Sequence, residues 1–217
     1  MTRIVLIAGA GPGVSGSLAR LYAAEGARLG LLGADEGVLA TLAEQVEQAG
    51  GSATTVLADL TDEAGTRDVV TELGRTFGSV DVAHFNPSAY TEKNPLELTV
   101  DELLADVRLG VGALLPFVQA ARPFMSAGAR ITVTGSMAAD KPWFGACSLG
   151  VQKAGIQNLV RSLDALLKDD GIRAVSVTVR GLLKKEGPFA PDNVAAALRA
   201  AIDQPEDAWQ AELPYTG

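Results

Sequence analysis

Short apolar segments alternate with segments of helical periodicity along the chain. The apolar segments predict strands over Ile4–Ile7, Ala27–Leu32, Ala53–Leu57, Val80–Phe85, Arg130–Thr134 and Ile172–Val179, with Trp209–Leu213 as a candidate last strand. Apolar residues three and four positions apart predict helices over Val14–Glu25, Asp35–Gln48, Thr61–Phe77, Thr99–Met125, Ala146–Lys168 and Asn193–Ile202. This alternation predicts an α/β protein with a doubly wound parallel sheet of six or seven strands and helices on both faces.

Composition narrows the classes of protein that fit this pattern. The 217 residues contain no linker-like segment and predict one domain over residues 1–217. A net charge of -8 argues against a nucleic-acid surface and an anionic membrane surface as partners. Cys147 is the one cysteine, which excludes an internal disulfide and fits a reducing cytoplasm. His84 is the one histidine, so no multi-histidine metal site is expected.

Membrane insertion and secretion are not expected either. No apolar run approaches the length of a membrane span. The chain enters its first strand within three residues, which leaves no room for a signal peptide. These features predict a cytoplasmic protein.

A glycine-rich turn joins the first strand to the first helix. Gly9, Gly11, Gly13 and Gly16 follow the apolar run directly. Glycine lets an anion approach the backbone, and the helix that follows presents its N–H groups to that anion. The turn predicts a site for a dinucleotide's phosphates, and a plain strand-to-helix turn that needs glycine is the alternative.

Polar residues follow other strands at the edge where ligands bind in open parallel sheets. The residues that carry a family pattern there are Asp59 after strand three, Asn86 after strand four, Ser136 after strand five and Lys153 in the next helix. Together with Gly9, Gly13 and Ser15 in the first turn, they make the chain resemble a short-chain dehydrogenase/reductase. The resemblance implies a single-domain Rossmann fold, NAD or NADP as cofactor, a small carbonyl or alcohol as substrate, and a homodimer or homotetramer.

The resemblance also assigns roles to individual residues. The expected cofactor-binding residues are Gly9, Gly11, Gly13, Ser15, Asp35, Asp59, Leu60, Asn86 and Lys153, and the expected catalytic residues are Ser136, Lys153 and Tyr90. Each has a plainer interpretation: Lys153 as a solvated helix lysine, Ser136 as a cap of its own turn, and Asp59 as a helix cap. Asn86 is expected to hold the strand-four turn against the cofactor.

Departures from the family pattern fall where the reaction takes place. Leu149 occupies the position of the family's catalytic tyrosine, four residues before Lys153. Tyr90, in the loop after strand four, is the one tyrosine placed to replace it. Gly110 occupies the place of an asparagine that breaks the long helix, and Ser15 replaces a glycine. Further departures are Arg180-Gly181 after strand six and a shortened substrate-covering segment before Pro188.

Four more expectations concern the surroundings of this site. Gly110, Gly112 and Pro116 predict a kink in the long helix and open space beside the nicotinamide site. Trp143 and Phe144 either line the pocket or cover the core. His84 is interpreted as a packed core residue rather than a catalytic one.

The sequence gives only weak evidence for the choice between NAD and NADP. No cation follows strand two to meet a 2′-phosphate, and Asp35 lies close by, which favours NAD. The leading hypothesis is an atypical NAD(P)-binding oxidoreductase with a degraded catalytic set. The alternatives are a non-redox catalyst (cyclase, isomerase or lyase) that reuses the pocket and a non-catalytic binding or scaffold protein.

Overall fold

Seven parallel strands form one sheet in the computed structural model, which describes residues 2–217. The strands are β1 Ile4–Ala8, β2 Arg28–Gly33, β3 Ser52–Leu57, β4 Val82–Phe85, β5 Arg130–Ser136, β6 Arg173–Val179 and β7 Glu212–Tyr215. Their order across the sheet is β3-β2-β1-β4-β5-β6-β7. The predicted parallel sheet is confirmed, and the candidate last strand is its seventh member.

Helices cover both faces of this sheet. They are α1 Val14–Ala24, α2 Glu36–Gln48, α3 Glu63–Phe77, α4 Val100–Val107, α5 Leu114–Ala121, α6 Cys147–Leu167 and α7 Pro191–Ala200. One buried cluster joins Leu6 and Phe85 of the sheet to Phe117 of α5, and the other joins Ile7 to Leu18 of α1. Every residue of β1 is buried because apolar helices pack on both sides of it, as the doubly wound arrangement requires.

Two element boundaries differ from the sequence prediction. The N-cap of α3 is Asp62, whose carboxylate accepts from the N–H of Gly65, whereas Thr61 donates its hydroxyl to Asp59. Strand β7 begins at Glu212 rather than at Trp209. The Trp209 side chain contacts the sheet instead, since its indole N–H donates to the Ala174 carbonyl at 3.3 Å. Backbone pairing with β6 starts where the Ala211 carbonyl accepts from the Ser176 N–H.

The long helix predicted over Thr99–Met125 is interrupted at its centre. A π-helical turn, Arg108–Gly112, separates α4 from α5. Its two glycines have poor helix propensity, and they lie where the predicted irregularity occurs. The capping box of Thr99 and Glu102 fixes the start of α4, so the irregularity falls next to the end of β4.

This interrupted helix corrects the expectation about membrane spans. Within residues 2–217, Val100–Phe124 is long and apolar enough to cross a membrane, by length and composition only. Leu114, Phe117 and Val118 on its inner face belong to the core, which accounts for its apolar character. Leu104 and Leu115 of the same interrupted helix are exposed, and so is Leu166 of α6.

Candidate active site

Two cavities lie at the switch point of the sheet, where the chain has crossed from one side of β1 to the other. The first, of about 760 Å³, opens at the carboxyl ends of β1, β2 and β3, and we name it the nucleotide-side cavity. The second, of about 350 Å³, lies between the glycine turn, β5 and α6, and we name it the reaction-side cavity. Asn86 and Ser88 line both, so the cavities are two parts of one crevice. This is the place where doubly wound sheets bind ligands.

The glycine turn is closed by contacts of its own. Gly9 has φ +75°, and a Cβ at that position would come within 2.9 Å of the Pro87 ring. Ser15 donates its hydroxyl to the Gly9 carbonyl and accepts from the Gly11 N–H, both at 3.0 Å. Ser15 therefore stabilises the turn from within, and its side-chain oxygen is the hydrogen-bond acceptor of the Gly11 N–H. Gly13, the N-cap of α1, has no side-chain cap and lines the reaction-side cavity.

Asn86 ties the end of β4 to this turn. Its side-chain N–H donates to the Gly9 carbonyl at 3.3 Å, and its side-chain oxygen accepts from the Thr134 hydroxyl at 2.8 Å. These contacts join the end of β4 to the glycine turn, and the expectation that Asn86 holds the strand-four turn against the cofactor stays a prediction. Sequence reasoning missed Thr134, whose only signal was its position two residues before Ser136.

His84 continues this hydrogen-bond chain into the core. Its ring is fully buried in β4, and burial lowers the pKa of the imidazole to about 3. Nδ1 lies 2.8 Å from the Thr132 hydroxyl, and Nε2 lies 3.4 Å from the Thr134 hydroxyl. Because Thr134 donates its own hydrogen to Asn86, the neutral ring donates from Nε2 and accepts at Nδ1. The interpretation of His84 as a packed core residue agrees with this burial.

Lys153 reaches the same place from α6. The residue is 5% exposed, and Nζ donates to the backbone carbonyl of Thr134 at 3.2 Å. Burial lowers the pKa of its amine to about 8. The alternative of a solvated helix lysine is therefore wrong. Leu149 lines the same cavity one helical turn earlier, so the two side chains share a face of α6, as their spacing indicates.

Ser136 caps its own turn and also lines the reaction-side cavity. Its hydroxyl oxygen accepts from the N–H of Ala138 at 3.2 Å and so caps the turn after β5. The same residue lines the reaction-side cavity. Since the capping bond uses only the oxygen, the hydroxyl hydrogen is available to another acceptor in the cavity.

Tyr90 is half exposed and lines the same cavity from a loop that is held on both sides. Gln152, fully buried in α6, donates to the Ala89 carbonyl at 2.6 Å. The Asp106 carboxylate accepts from the N–H of Thr91 at 2.8 Å. These contacts fix the backbone around Tyr90. Sequence reasoning missed both Gln152 and Asp106, since neither belongs to the glycine turn or to a strand end.

Gln152 also overturns the expectation of open space at the π-helical turn. A Cβ added at Gly110 would overlap the Gln152 side chain, which donates a second hydrogen bond to the Asp106 carbonyl at 3.0 Å. The missing side chain of Gly110 thus makes room for Gln152 rather than for a ligand.

Gly11, Ser15 and Asp35 line neither cavity, whereas other expected cofactor residues line the nucleotide-side cavity. Asp59 and Leu60 line it, and Asp59 also accepts from the N–H and hydroxyl of Thr61, which lowers the pKa of its carboxyl. Asp35 does not line it. Its carboxylate caps α2 at the N–H of Val38, and the residue faces a separate cavity beside Pro12. Helix capping therefore explains the acidic residue at position 35, which sequence reasoning assigned to cofactor binding.

Two aromatic residues lie outside both cavities. Trp143 and Phe144 are 59% and 74% exposed, and neither lines the reaction-side cavity. Neither expectation holds, because they stand on the surface just before α6 instead of covering the pocket or the core.

Comparisons with known proteins agree with this geometry. A relative from Chromohalobacter salexigens, sulfoacetaldehyde reductase 2, is 32% identical over 82% of this chain and 71% of that protein. Oxidoreductase UcpA of Salmonella typhimurium is 26% identical over 92% of this chain and 80% of that protein.

Solved structures show the same fold. A crystal structure of the NADH-dependent reductase A1-R' complexed with NAD superposes with a TM-score of 0.83 at 21% identity, over all of this chain and 96% of that chain. A short-chain dehydrogenase from Burkholderia cenocepacia in complex with NADP gives a TM-score of 0.87 at 23% identity, over 98% and 95% of the two chains.

The family model described as short chain dehydrogenase matches residues 3–184, which include the glycine turn, Asn86, Ser136 and Lys153. The match covers well over half of the chain and runs through both cavities. The chain therefore belongs to the short-chain dehydrogenase/reductase family.

Proposed function

We propose that this protein is a nicotinamide-dinucleotide-dependent oxidoreductase that acts on a small carbonyl or alcohol. The observation that supports this most directly is the reaction-side cavity, which gathers Ser136, Lys153 and Tyr90 around one space that adjoins the glycine turn. Relatives named as oxidoreductases support the same reaction class.

The residues of the crevice fit an extended dinucleotide. The two cavities follow each other along the carboxyl edge of the sheet, and Asn86 and Ser88 lie between them. At the phosphate position, the N-terminus of α1 has no side-chain cap and no acidic residue in its first turn. An uncapped helix N-terminus favours an anion, because its N–H groups and the helix dipole are both electropositive.

The proposed division of labour follows from the contacts in the reaction-side cavity. A bound nicotinamide supplies or accepts the hydride. Ser136 donates its free hydroxyl hydrogen to the substrate oxygen and polarises the carbonyl. The Lys153 amine, already held at the Thr134 carbonyl, donates to a hydroxyl of the cofactor's ribose.

Tyr90 is the proposed proton donor, because Leu149 has no proton to give. General acid–base catalysis typically accelerates a reaction 10²–10⁴-fold, which corresponds to about 3–5 kcal/mol of barrier. A phenol buried next to Lys153 would be the more effective proton donor, whereas the Tyr90 side chain is half exposed to water. We therefore expect slow turnover.

NAD is the proposed cofactor in preference to NADP. No lysine or arginine lines the nucleotide-side cavity within residues 2–217. Arg20, in the neighbouring cavity, is bound to Gln45, Ser17 and Asp192. A 2′-phosphate would thus meet no free cation, whereas the ribose hydroxyl of NAD needs none.

The exposed leucines support a further expectation about assembly. Leu104, Leu115 and Leu166 lie on the outer side of α4, α5 and α6, where water contacts large apolar side chains. We expect these helices to pack against a second copy of the chain in a homodimer or homotetramer. A cytoplasmic location stays a prediction that rests on the single, free Cys147.

Titration calorimetry with NADH and NADPH tests the proposed function. We expect both to bind, with NADH tighter, and the Lys153→Met variant to weaken NADH binding. The matched control is Lys168→Met, at an exposed position just after α6. No heat and no thermal shift with either nucleotide would exclude the proposal.

A further inference from the structure

Lys153 has chemistry that cofactor binding does not use. Lys153 is one of the residues that line the reaction-side cavity, and its amine is held by a single backbone carbonyl at 3.2 Å. A primary amine in that position is a potential nucleophile as well as a hydrogen-bond donor.

The charged form of this amine receives little stabilisation from the residues that line its cavity. Among residues 2–217, the lining of the reaction-side cavity includes no Asp or Glu. Burial is the one cause that shifts the pKa of Lys153, and it lowers that pKa to about 8. A much larger fraction of Lys153 is therefore neutral near pH 7 than of an ordinary lysine with a pKa near 10.4.

Leu149 changes the neighbourhood of the amine further. Where the family pattern places a phenol, this chain presents an aliphatic side chain to the same cavity. Val14, Val179 and Leu183 also line it, so a substrate would leave water for a mostly apolar space. Desolvation by such surroundings is one of the ways in which proteins activate a lysine as a nucleophile.

We propose that Lys153 forms an imine with small apolar aldehydes that enter the reaction-side cavity. This activity goes beyond the proposed hydride transfer and does not depend on it. An imine draws electrons from the carbon next to it and so eases proton removal or bond cleavage there. A reaction of this kind corresponds to the non-redox catalyst that is the alternative to an oxidoreductase.

The covalent step balances without an added reactant. The neutral amine attacks the aldehyde carbon, the C–N bond forms, and the carbonyl π bond opens to a hydroxyl. That hydroxyl leaves as water when the C=N bond forms. From the ammonium form, the sum is R–NH₃⁺ + O=CHR′ → R–NH⁺=CHR′ + H₂O, with no change of oxidation state. Ser136 and Tyr90 line the same cavity, and each carries a hydroxyl that can donate a hydrogen bond to the departing oxygen.

Propanal with sodium cyanoborohydride, applied to the nucleotide-free wild-type protein, tests the proposal. The reagent reduces the imine to a stable propyl-lysine, which peptide mass mapping locates. At pH 7 we expect Lys153 to be labelled at least ten-fold faster than Lys168, because labelling follows the neutral amine fraction, which is about two hundred-fold larger for a pKa of 8 than for one near 10.4. Lys168 lies at the exposed end of the same helix and serves as the internal control.

The pH dependence gives a second, independent readout. The labelling rate of Lys153 should rise from pH 6 and level off above about pH 9, one unit above its pKa of about 8. A Lys153→Arg variant, which keeps the positive charge, should lose this labelling while the other lysines react as before. Labelling of Lys168 with none at Lys153, or equal rates at the two lysines, would overturn the proposal.

Nucleotide binding measured on the same sample separates the two proposals. Labelled Lys153 in a protein that binds neither NADH nor NADPH would support the imine chemistry and exclude the oxidoreductase function. A protein that binds NADH but leaves Lys153 unlabelled without nucleotide would overturn the imine chemistry alone.

Discussion

The two cavities are lined by different kinds of chemical group. Glycines, alanines and backbone groups at the ends of β1 and β2 form much of the nucleotide-side cavity, whereas the reaction-side cavity depends on the side chains of Ser136, Leu149 and Lys153. The backbone turn beside the nucleotide-side cavity accommodates a serine at position 15, whose hydroxyl closes the turn from within. A site made by side chains changes its chemistry with one residue, as Leu149 shows. Family membership therefore says more about the first cavity than about the second.

The largest expected effect comes from restoring a phenol at the reaction side. Leu149→Tyr places it one helical turn before Lys153, and reduction of a small aldehyde should accelerate 10²–10⁴-fold. Initial rates of NADH oxidation measure this. As a control, Tyr90→Phe should slow the wild-type protein and leave the Leu149→Tyr variant unaffected. If the variant binds NADH and gains no rate, the reaction side has lost more than a proton donor.

The contact between Gln152 and Gly110 predicts a coupled loss of stability. Gln152→Ala leaves the partly buried carbonyl of Ala89 and the buried carbonyl of Asp106 without this donor, so the free energy of unfolding should fall by about 1–3 kcal/mol. Gly110→Ala should destabilise the wild type, where Gln152 fills the space, more than the Gln152→Ala variant. Denaturant unfolding of all four proteins measures this coupling. Strictly additive changes would show that the two positions do not share space.

Gly9 and Gly26 form a matched pair of glycines for testing the backbone at the nucleotide-side cavity. Both have positive φ, +75° and +78°, but only Gly9 has the Pro87 ring against its Cβ position. Alanine at positive φ costs about 1–2 kcal/mol, so Gly26→Ala should lose about that much stability. Gly9→Ala should lose more and should also weaken NADH binding. Thermal unfolding and calorimetry compare the two variants. Equal losses of stability and of NADH binding in both would show that the Pro87 ring moves aside at no cost in free energy.

His84 predicts a gradual dependence of stability on pH. Its pKa is about 3 in the folded protein and about 6.5 when unfolded, so only the unfolded chain binds the proton between these values. Stability is fully present above pH 6.5 and is lost as the pH falls towards 3, by at most about 1.4 kcal/mol per pH unit. His84→Gln removes this group. Denaturant unfolding between pH 7.5 and 4.5 should show a shallower decline in the variant, and parallel declines would exclude His84 as the cause.

Local sequence patterns predicted most of the framework. Hydrophobic periodicity located all seven strands and the main helices, and the glycines after β1 located the turn at the switch point. Ser136, Lys153, Tyr90 and Asn86 lie around one cavity, as the positions of their elements indicate. Boundaries were predicted less well where a side chain makes a contact near the end of an element, as at Trp209 and Asp62.

The errors at the site have a common cause. Asp35 was assigned to a ligand and caps a helix, and Gly110 was assigned to open space and accommodates Gln152. Trp143 was assigned to the pocket or the core and is exposed. In each case the residue type allows several partners, and the partner lies on another element whose distance the sequence does not encode.

The sequence by itself determined the order of strands and helices along the chain, the glycine turn before α1 and the loss of a phenol before Lys153, because these depend on residues close together in the chain. Only the tertiary structure decided that Thr134 joins His84 to Asn86, that Gln152 holds the Tyr90 loop, and that the Lys153 amine is buried away from any carboxylate. These contacts join residues about fifty or more positions apart, or depend on the burial of a whole cavity wall. Hydrogen bonding and desolvation act through space, and the fold alone sets those distances.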